Sequence, residues 1–310
     1  MFTLRHGSYR HAIPRRAAGL MLCIVASGAL FAAPPEEMVL IPAGSSYIGS
    51  ALGAADEQPQ FSAGVDAFYL DRSPVTVSAF ADFVSRHGYQ TDADTAGSAA
   101  VMEFGTGHWY LLPGANWHHP FGPQSTAAAP DHPVTQVSWH DAVAYCDAQD
   151  KRLPSEVEWE HAARSGHDGE VAYAFGDDLL HEGDYLANVW TGAFPVLNTG
   201  DDGFKVTSPV GEFGLTPAGL TDMAGNVWEW TADWYGNYAG RSGQHDAPTL
   251  GSSKVQRGGS FLCESSVCHG FRVSARGHAT PDSASMHVGF RCARSASDAS
   301  SVATLRGATP

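Results

Sequence analysis

The sequence predicts a single α+β domain in which short helices and short strands are set in a large share of irregular chain. Three observations carry this expectation. Apolar residues recur at helical spacing only in brief stretches between residues 74 and 165. Strand-like apolar runs are short and bounded by Pro and Gly. Residues 165–294 pass through turns, aromatics and short apolar runs without a sustained period of either kind.

Taken in order, a first strand is expected at Met38-Val39-Leu40-Ile41-Pro42, closed by Ala43-Gly44, and a second at Phe68-Tyr69-Leu70. A helix follows Pro74, with Thr76 placed to cap it and Phe80, Phe83 and Val84 recurring on one face. Residues 90–130, which hold Trp109, Trp117, His118, His119 and several Gly and Pro, read as loop. Ser138 caps a second helix carrying Ala142, Tyr145 and Cys146. Ser155 and Glu158 stand at capping-box spacing ahead of a third. Residues 295–310, rich in Ser, Ala, Thr and Gly, read as a disordered tail. No internal repeat or linker divides residues 34–294, which are therefore expected to form one domain.

An apolar content of 43% and 11% aromatics suit a globular protein with a substantial core. The net charge of −15 argues against a nucleic-acid partner, because an acidic surface repels phosphate backbones. Residues 1–33 read as an export signal: basic residues end at Arg15-Arg16, an apolar run extends from Ala17 to Leu30, and small residues surround Phe31-Ala32-Ala33. That run is too short for a transmembrane span, no other segment could provide one, and the expected location is periplasmic or secreted. Loss of the leader removes Arg5, Arg10, Arg15 and Arg16, leaving a still more acidic chain, and it removes Cys23. Cys146, Cys263, Cys268 and Cys292 remain, and an exported chain with four cysteines allows three fully paired connectivities.

Cys263 and Cys268 are separated by four residues behind Gly258-Gly259-Ser260, so a loop can aim both sulfurs at one centre. Such a pair can be a disulfide, half of a zinc site or a two-thiolate seat for Cu(I). The fifteen histidines include no His-Glu-x-x-His and no compact cluster, which weakens the zinc reading; His118, His119, His269, His278 and His287 read individually as surface or structural residues. Asn198-Thr199-Gly200-Asp201-Asp202-Gly203-Phe204 and Asp222-Met223-Ala224-Gly225-Asn226-Val227 could each converge oxygens on Ca²⁺, although on residue types alone a solvated turn is the plainer account of both. Gly258-Gly259-Ser260 lacks the Gly-x-Ser-x-Gly elbow of a hydrolytic nucleophile. At least two of Trp228, Trp230 and Trp234 are expected in the core.

Six strings then occur in one order: Met38-Val39-Leu40-Ile41-Pro42-Ala43-Gly44, Pro113-Gly114-Ala115-Asn116-Trp117-His118-His119-Pro120, Lys151-Arg152-Leu153-Pro154-Ser155-Glu156-Val157-Glu158-Trp159-Glu160, Gly225-Asn226-Val227-Trp228-Glu229-Trp230, Arg257-Gly258-Gly259-Ser260 and Gly289-Phe290-Arg291-Cys292. Together they resemble the formylglycine-generating enzymes, the sulfatase-modifying factors, over about residues 36–294. Several of the strings mark a broader superfamily that includes non-catalytic members. The cysteine pair behind Gly-Gly-Ser marks the enzymes.

The resemblance implies a C-type-lectin-like fold and a copper-dependent oxidase that uses O2 and a thiol reductant. Its substrate would be a cysteine in a Cys-x-Pro-x-Arg segment of a sulfatase or sulfatase-like protein, converted to Cα-formylglycine. By the same analogy Cys263 and Cys268 hold Cu(I), Ser260 donates a hydrogen bond near the oxygen site, and Trp228 lines the pocket. One Ca²⁺ site is implied at Asn188, the Val189 carbonyl, Asp202 and the Phe204 carbonyl, and a second at Asp222 with the carbonyls of Met223, Gly225 and Val227. A Cys146–Cys292 disulfide is also implied, leaving Cys263 and Cys268 for metal.

The chain departs from the family pattern at Glu264 and Val267 between the cysteines, at Gly270-Phe271-Arg272 after them, and at Ala284 and His287. In the family these positions line the active-site and substrate groove. The alternative reading is a non-catalytic lectin-like module of the same fold, in which Cys263 and Cys268 form a structural disulfide.

Overall fold

The computed structural model of this chain describes residues 38–167, 169–240 and 252–296. The expected leader (1–33) lies outside the described residues, as does the expected tail apart from its first two positions.

The strands are β1 (Met38–Ile41), β2 (Gly44–Ile48), β3 (Phe61–Val65), β4 (Phe68–Asp71), β5 (Ser98–Met102), β6 (Trp109–Pro113), β7 (Leu180–His181), β8 (Asp184–Tyr185), β9 (Gly192–Ala193), β10 (Leu197–Asn198), β11 (Trp228–Trp234), β12 (Lys254–Arg257), β13 (Gly277–Ala279), β14 (Val288–Gly289) and β15 (Ala293–Ser295). The α-helices are α1 (Val77–His87), α2 (Asp92–Ala96), α3 (Trp139–Asp147) and α4 (Glu156–Arg164). This is the α+β architecture with little helix that the sequence predicts, and among the described residues no helix is long and apolar enough to cross a membrane.

The three expected helices form where their caps place them. Thr76 Oγ1 accepts the Ala79 N–H at 3.2 Å, and α1 ends at Gly88, whose φ of +60° lets its N–H return to the Val84 carbonyl. Ser138 and Ser155 each complete a capping box, with Asp141 and Glu158 respectively. α1 buries Phe80 and Phe83 against Tyr145 of α3 and Phe290, and Phe80 stacks on Tyr145 with ring centroids 5.8 Å apart. Full burial of each such ring contributes about 1.5–3 kcal/mol.

Two sheets frame this core. One has the order β1-β4-β15, so that Ser295, expected in the tail, pairs with Phe68 as the last residue of β15. The other has the order β13-β12-β11-β14, with β14 parallel to β11. Trp228–Thr231 of β11 are buried on both strand faces, which erases the alternation that would mark a strand in the sequence. Trp228 and Trp230 join the core as expected, while Trp234 lies at its margin with the Lys254 ammonium 3.9 Å from its ring centroid.

The stretch 90–130, read from sequence as loop, also holds regular structure. Thr91 and Asp94 form a capping box on α2, and β5 and β6 form a five-pair antiparallel hairpin from Ser98↔Pro113 to Met102↔Trp109. The hairpin is fixed by its docking, since Ala100 N–H bonds the Ala284 carbonyl and Met286 N–H bonds the Ala100 carbonyl. Ala-rich β5 carries little intrinsic strand preference, so tertiary pairing decides its state.

Cys146 of α3 and Cys292 form the disulfide that the resemblance implies, both wholly buried. Buried ion pairs hold the neighbouring elements. Arg257 sits between Glu156 and Glu160 of α4, Arg276 pairs with Glu156, and Arg291 pairs with Glu229 of β11. Each guanidinium is also held by carbonyls or further carboxylate oxygens, which is what makes burial of these charges tolerable.

Candidate functional site

β12 ends at Arg257, and the chain then turns through Gly258 (φ +92°) and Gly259 (φ +70°). A Cβ on Gly259 would lie 2.5 Å from the Phe271 nitrogen, so the turn demands glycine on both backbone and steric grounds. It delivers Ser260, fully buried, whose carbonyl accepts the Cys263 N–H at 2.8 Å. The Glu264 carbonyl next accepts the N–H groups of Val267, Cys268 and His269 at 3.1, 2.9 and 3.1 Å. This single turn folds Cys268 back onto Cys263.

Both cysteines are free, and the Cys263 thiol donates a hydrogen bond to the Cys268 sulfur. Burial pushes the Cys263 thiol well above the ordinary thiol range, and its hydrogen bond to Cys268 adds to the effect. Cys268 is exposed and moves the other way, chiefly because that hydrogen bond favours its thiolate, with a smaller contribution from the Arg272 charge. Of the two sulfurs, the solvent-facing one is thus the one whose thiolate form is favoured.

Trp228 forms the wall beside them. A Cβ on Gly270 would fall 2.5 Å from Trp228 Cζ2 and 2.9 Å from Cys268 Sγ, and a Cβ on Gly277 would lie 3.2 Å from Trp228 Cζ3. Two glycines therefore pinch the indole, and one of them also abuts the Cys268 sulfur. Behind the loop, Tyr173 Oη and His269 Nε2 are 2.8 Å apart, and Arg272 is paired with the buried Glu57. His269 adopts φ +42°, a left-handed conformation costly for a non-glycine residue, at the position directly after Cys268.

The two candidate Ca²⁺ loops lie against this turn. Asn226 N–H bonds the Asn188 carbonyl at 2.8 Å, which joins the loops to each other. Gly225 N–H bonds the Gly258 carbonyl at 2.8 Å, Phe261 N–H bonds the Asn226 carbonyl at 3.0 Å, and Trp190 N–H bonds the Cys263 carbonyl at 3.0 Å. The loops thereby hold the backbone from which Ser260 and Cys263 project.

In the first loop, Asp202 accepts the Val189 and Phe204 N–H groups at 2.8 and 3.0 Å, and burial raises its pKa. Asn188 is buried, and its Oδ1 has no hydrogen-bond partner among the described residues. An orphaned oxygen beside a buried carboxylate fits a hard cation, since leaving such an acceptor unpaired costs about 1–3 kcal/mol. In the second loop, Asp222 (φ +53°) accepts from Gly211 N–H and Asn226 Nδ2, at 2.7 and 3.1 Å, and Asn226 has φ +61°. Among the described residues no three His, Cys, Asp or Glu side chains cluster closely enough to hold a metal, so the thiol pair offers two protein donors, and any Ca²⁺ ligation would rest on amide and carbonyl oxygens beside single carboxylates.

The structure therefore brings Ser260, Cys263, Cys268 and Trp228 to one place, with Asn188, Val189, Asp202, Phe204, Asp222, Met223, Gly225 and Val227 in the loops behind. Sequence reasoning missed the supports Tyr173, Trp190 and Glu57, and named Arg272 without its partner. Glu57 and Arg272 are 215 residues apart, and no spacing in the chain announces their contact.

Comparison with known proteins gives a consistent result. The family described as Sulfatase-modifying factor enzyme 1-like domain matches residues 28–296. The chain is 41% identical to the formylglycine-generating enzyme of Bos taurus over 84% of its own length and 75% of that protein. It is also 38% identical to the inactive C-alpha-formylglycine-generating enzyme 2 of Mus musculus, over 84% of this chain and 86% of that one. Among solved structures, PvdO from Pseudomonas aeruginosa superposes with a TM-score of 0.63 at 25% identity, covering 83% of this chain and 94% of that one.

Proposed function

The chain belongs to the sulfatase-modifying factor family, whose similar curated members include formylglycine-generating enzymes, and from that footing we propose that it is an exported oxidase that converts a cysteine of a Cys-x-Pro-x-Arg segment in a sulfatase-type protein to Cα-formylglycine. The observation that carries this reading is the pair of free, hydrogen-bonded thiols at Cys263 and Cys268 beside Trp228 and Ser260. A binding module with a merely structural cystine has no need of two free thiols side by side.

Two soft sulfur donors suit Cu(I), which favours thiolates and low coordination, and when bound the ion would supply the one-electron chemistry that O2 requires. The overall change takes the substrate thiol R–CH2–SH, one O2, two electrons and two protons to the aldehyde R–CHO, one hydrogen sulfide and one water, the electrons coming from a thiol reductant. The chain's own residues prepare the place. Cys268, whose thiolate form the Cys263 hydrogen bond favours, and the buried Cys263 would be the two residues that hold the ion. Ser260 Oγ accepts the Leu262 N–H at 3.3 Å, which leaves its own proton to donate into the site. The indole of Trp228 excludes water from one side of the Cys268 sulfur.

The test incubates copper-loaded protein with a Cys-x-Pro-x-Arg peptide, O2 and a thiol reductant, and follows thiol-to-aldehyde conversion by mass spectrometry. Absence of conversion, under conditions in which a known enzyme turns over, would sink the oxidase reading. The alternative, a non-catalytic module, draws on the similarity to an inactive relative and on two thiols that share a hydrogen bond. It requires Cys263 and Cys268 to resist thiol labelling until reduced.

Ca²⁺ at Asn188/Val189/Asp202/Phe204 and Asp222/Met223/Gly225/Val227 belongs to the same proposal. Calcium at a hundredfold excess over its Kd is expected to stabilise the fold by about 2.7 kcal/mol per site. Thermal unfolding with calcium and with chelator measures this, and Asp202→Ala should lose the response of the first site.

A further inference from the structure

The segment 264–269 carries Cys268 and is tied to the rest of the fold at few points. The Glu264 carbonyl accepts the N–H groups of Val267, Cys268 and His269, and the Glu264 carboxylate accepts Ser265 Oγ and both the N–H and Oγ of Ser266. The His269 carbonyl accepts the Arg272 N–H at 3.4 Å. All of these bonds stay inside residues 264–272. Among the described residues one side-chain hydrogen bond leaves that stretch for a distant element, between His269 Nε2 and Tyr173 Oη at 2.8 Å. Packing adds little at the tip, where Val267 is 62% exposed.

Tyr173 is the fixed partner in that bond. Its N–H and carbonyl pair with the carbonyl and N–H of Gly176 at 2.8 and 3.1 Å, and the adjacent Ala172 carbonyl accepts the Val273 N–H at 2.9 Å. Its ring stacks on Phe175 and Phe271, with centroids 5.2 and 5.5 Å away. His269 is the strained partner. A residue with a Cβ keeps a φ of +42° only where its surroundings hold it there. A strained position with a single distant anchor is a hinge under load.

We infer that Tyr173 is a positioning residue for the thiol pair: its hydroxyl latches His269 and so holds the Cys268 arm closed against Cys263. Cys263 is 2% exposed, and its thiol hydrogen-bonds the exposed Cys268, so release of the arm is the route by which Cys263 meets solvent. The inference rests on the thiol pair of the function proposed above and assigns what keeps its two sulfurs together. A soft metal ion needs both at once, so a lost latch is expected to weaken its binding.

The test reads the thiols of the full reduced chain without turnover. In a Cys268→Ser background, iodoacetamide labelling of Cys263 is timed by mass spectrometry. Tyr173→Phe keeps the stacked ring and removes only the hydroxyl, and it should speed this labelling about fivefold, the worth of one net hydrogen bond. His269→Asn, whose side chain tolerates the left-handed backbone but is shorter than the imidazole, should do the same. The double variant should be no faster than either single one, because both remove one bond. Hydrogen exchange should rise at 264–269 and stay unchanged in α3 and α4. With both cysteines present, Tyr173→Phe should weaken Cu(I) binding about tenfold, the low end of what loss of an orienting partner costs.

Unchanged labelling in both single variants overturns the latch even if the parent chain converts peptide, and the oxidase reading then survives alone. Multiplying effects in the double variant would assign each residue a separate packing role and overturn it too. So would exchange that rises throughout the fold, the mark of general destabilisation. Faster labelling confined to the arm, in a chain that neither binds copper nor converts peptide, leaves the latch standing and removes the oxidase.

Discussion

Cys263→Ala and Cys268→Ala are each expected to lower peptide conversion by more than about 100-fold and to abolish tight Cu(I) binding in competition with a chromophoric chelator. Loss of a group that merely orients a metal ligand costs about 10–100-fold, so loss of one of only two sulfur donors should exceed that range. The two variants should nonetheless differ. Cys263 is 2% exposed, so its alanine variant empties a small buried space, and a modest fall in unfolding temperature should accompany the lost binding. Cys268 faces solvent on a one-turn loop, so its variant should keep the wild-type unfolding temperature while losing turnover. Copper affinity unchanged in both variants would remove the ion from this site.

The second large effect concerns stability. The Cys146–Cys292 bridge closes a loop with a sequence separation of 146 residues. In the chain-entropy account a loop of that size restricts the unfolded ensemble by about 5 kcal/mol, near the top of what single disulfides contribute. Both sulfurs lie in the aromatic cluster of Phe80, Tyr145 and Phe290, so replacement by serine would add the cost of buried hydroxyls. Cys146→Ala with Cys292→Ala separates the two costs and is expected to lower the unfolding temperature by on the order of 10 °C. Thermal denaturation under identical calcium measures it. A shift near zero would mean that the core alone holds these elements together.

Legibility in the sequence follows the range over which each feature is decided. The helix starts are readable because Thr76, Ser138 and Ser155 act on backbone groups two or three residues away, and that chemistry is written locally. The hairpin β5–β6 is not readable: Ser98–Met102 becomes a strand because Ala284 and Met286 meet it, and nothing in five small or apolar residues specifies that meeting. β11 hides for a related reason, since Trp228–Thr231 are covered on both faces and lose the alternation of a half-buried strand. In the site, Cys263 and Cys268 stand out by spacing, and family resemblance supplies Ser260, Trp228 and the Cys146–Cys292 pairing. The orphaned Asn188 oxygen, the glycine pinch on Trp228 and the Glu57–Arg272 brace exist only once distant segments are packed.

The buried bridge has a temporal consequence. The chain emerges N-terminus first, so Cys146, Cys263 and Cys268 are all exposed before Cys292. For that interval the only bonds an oxidant can make among these four join Cys146 to a site sulfur or close the site pair on itself, and any such bond must be reopened by exchange. Correct maturation therefore depends on oxidation arriving after the last tenth of the chain, and premature oxidation would trap a species whose thiols are spent.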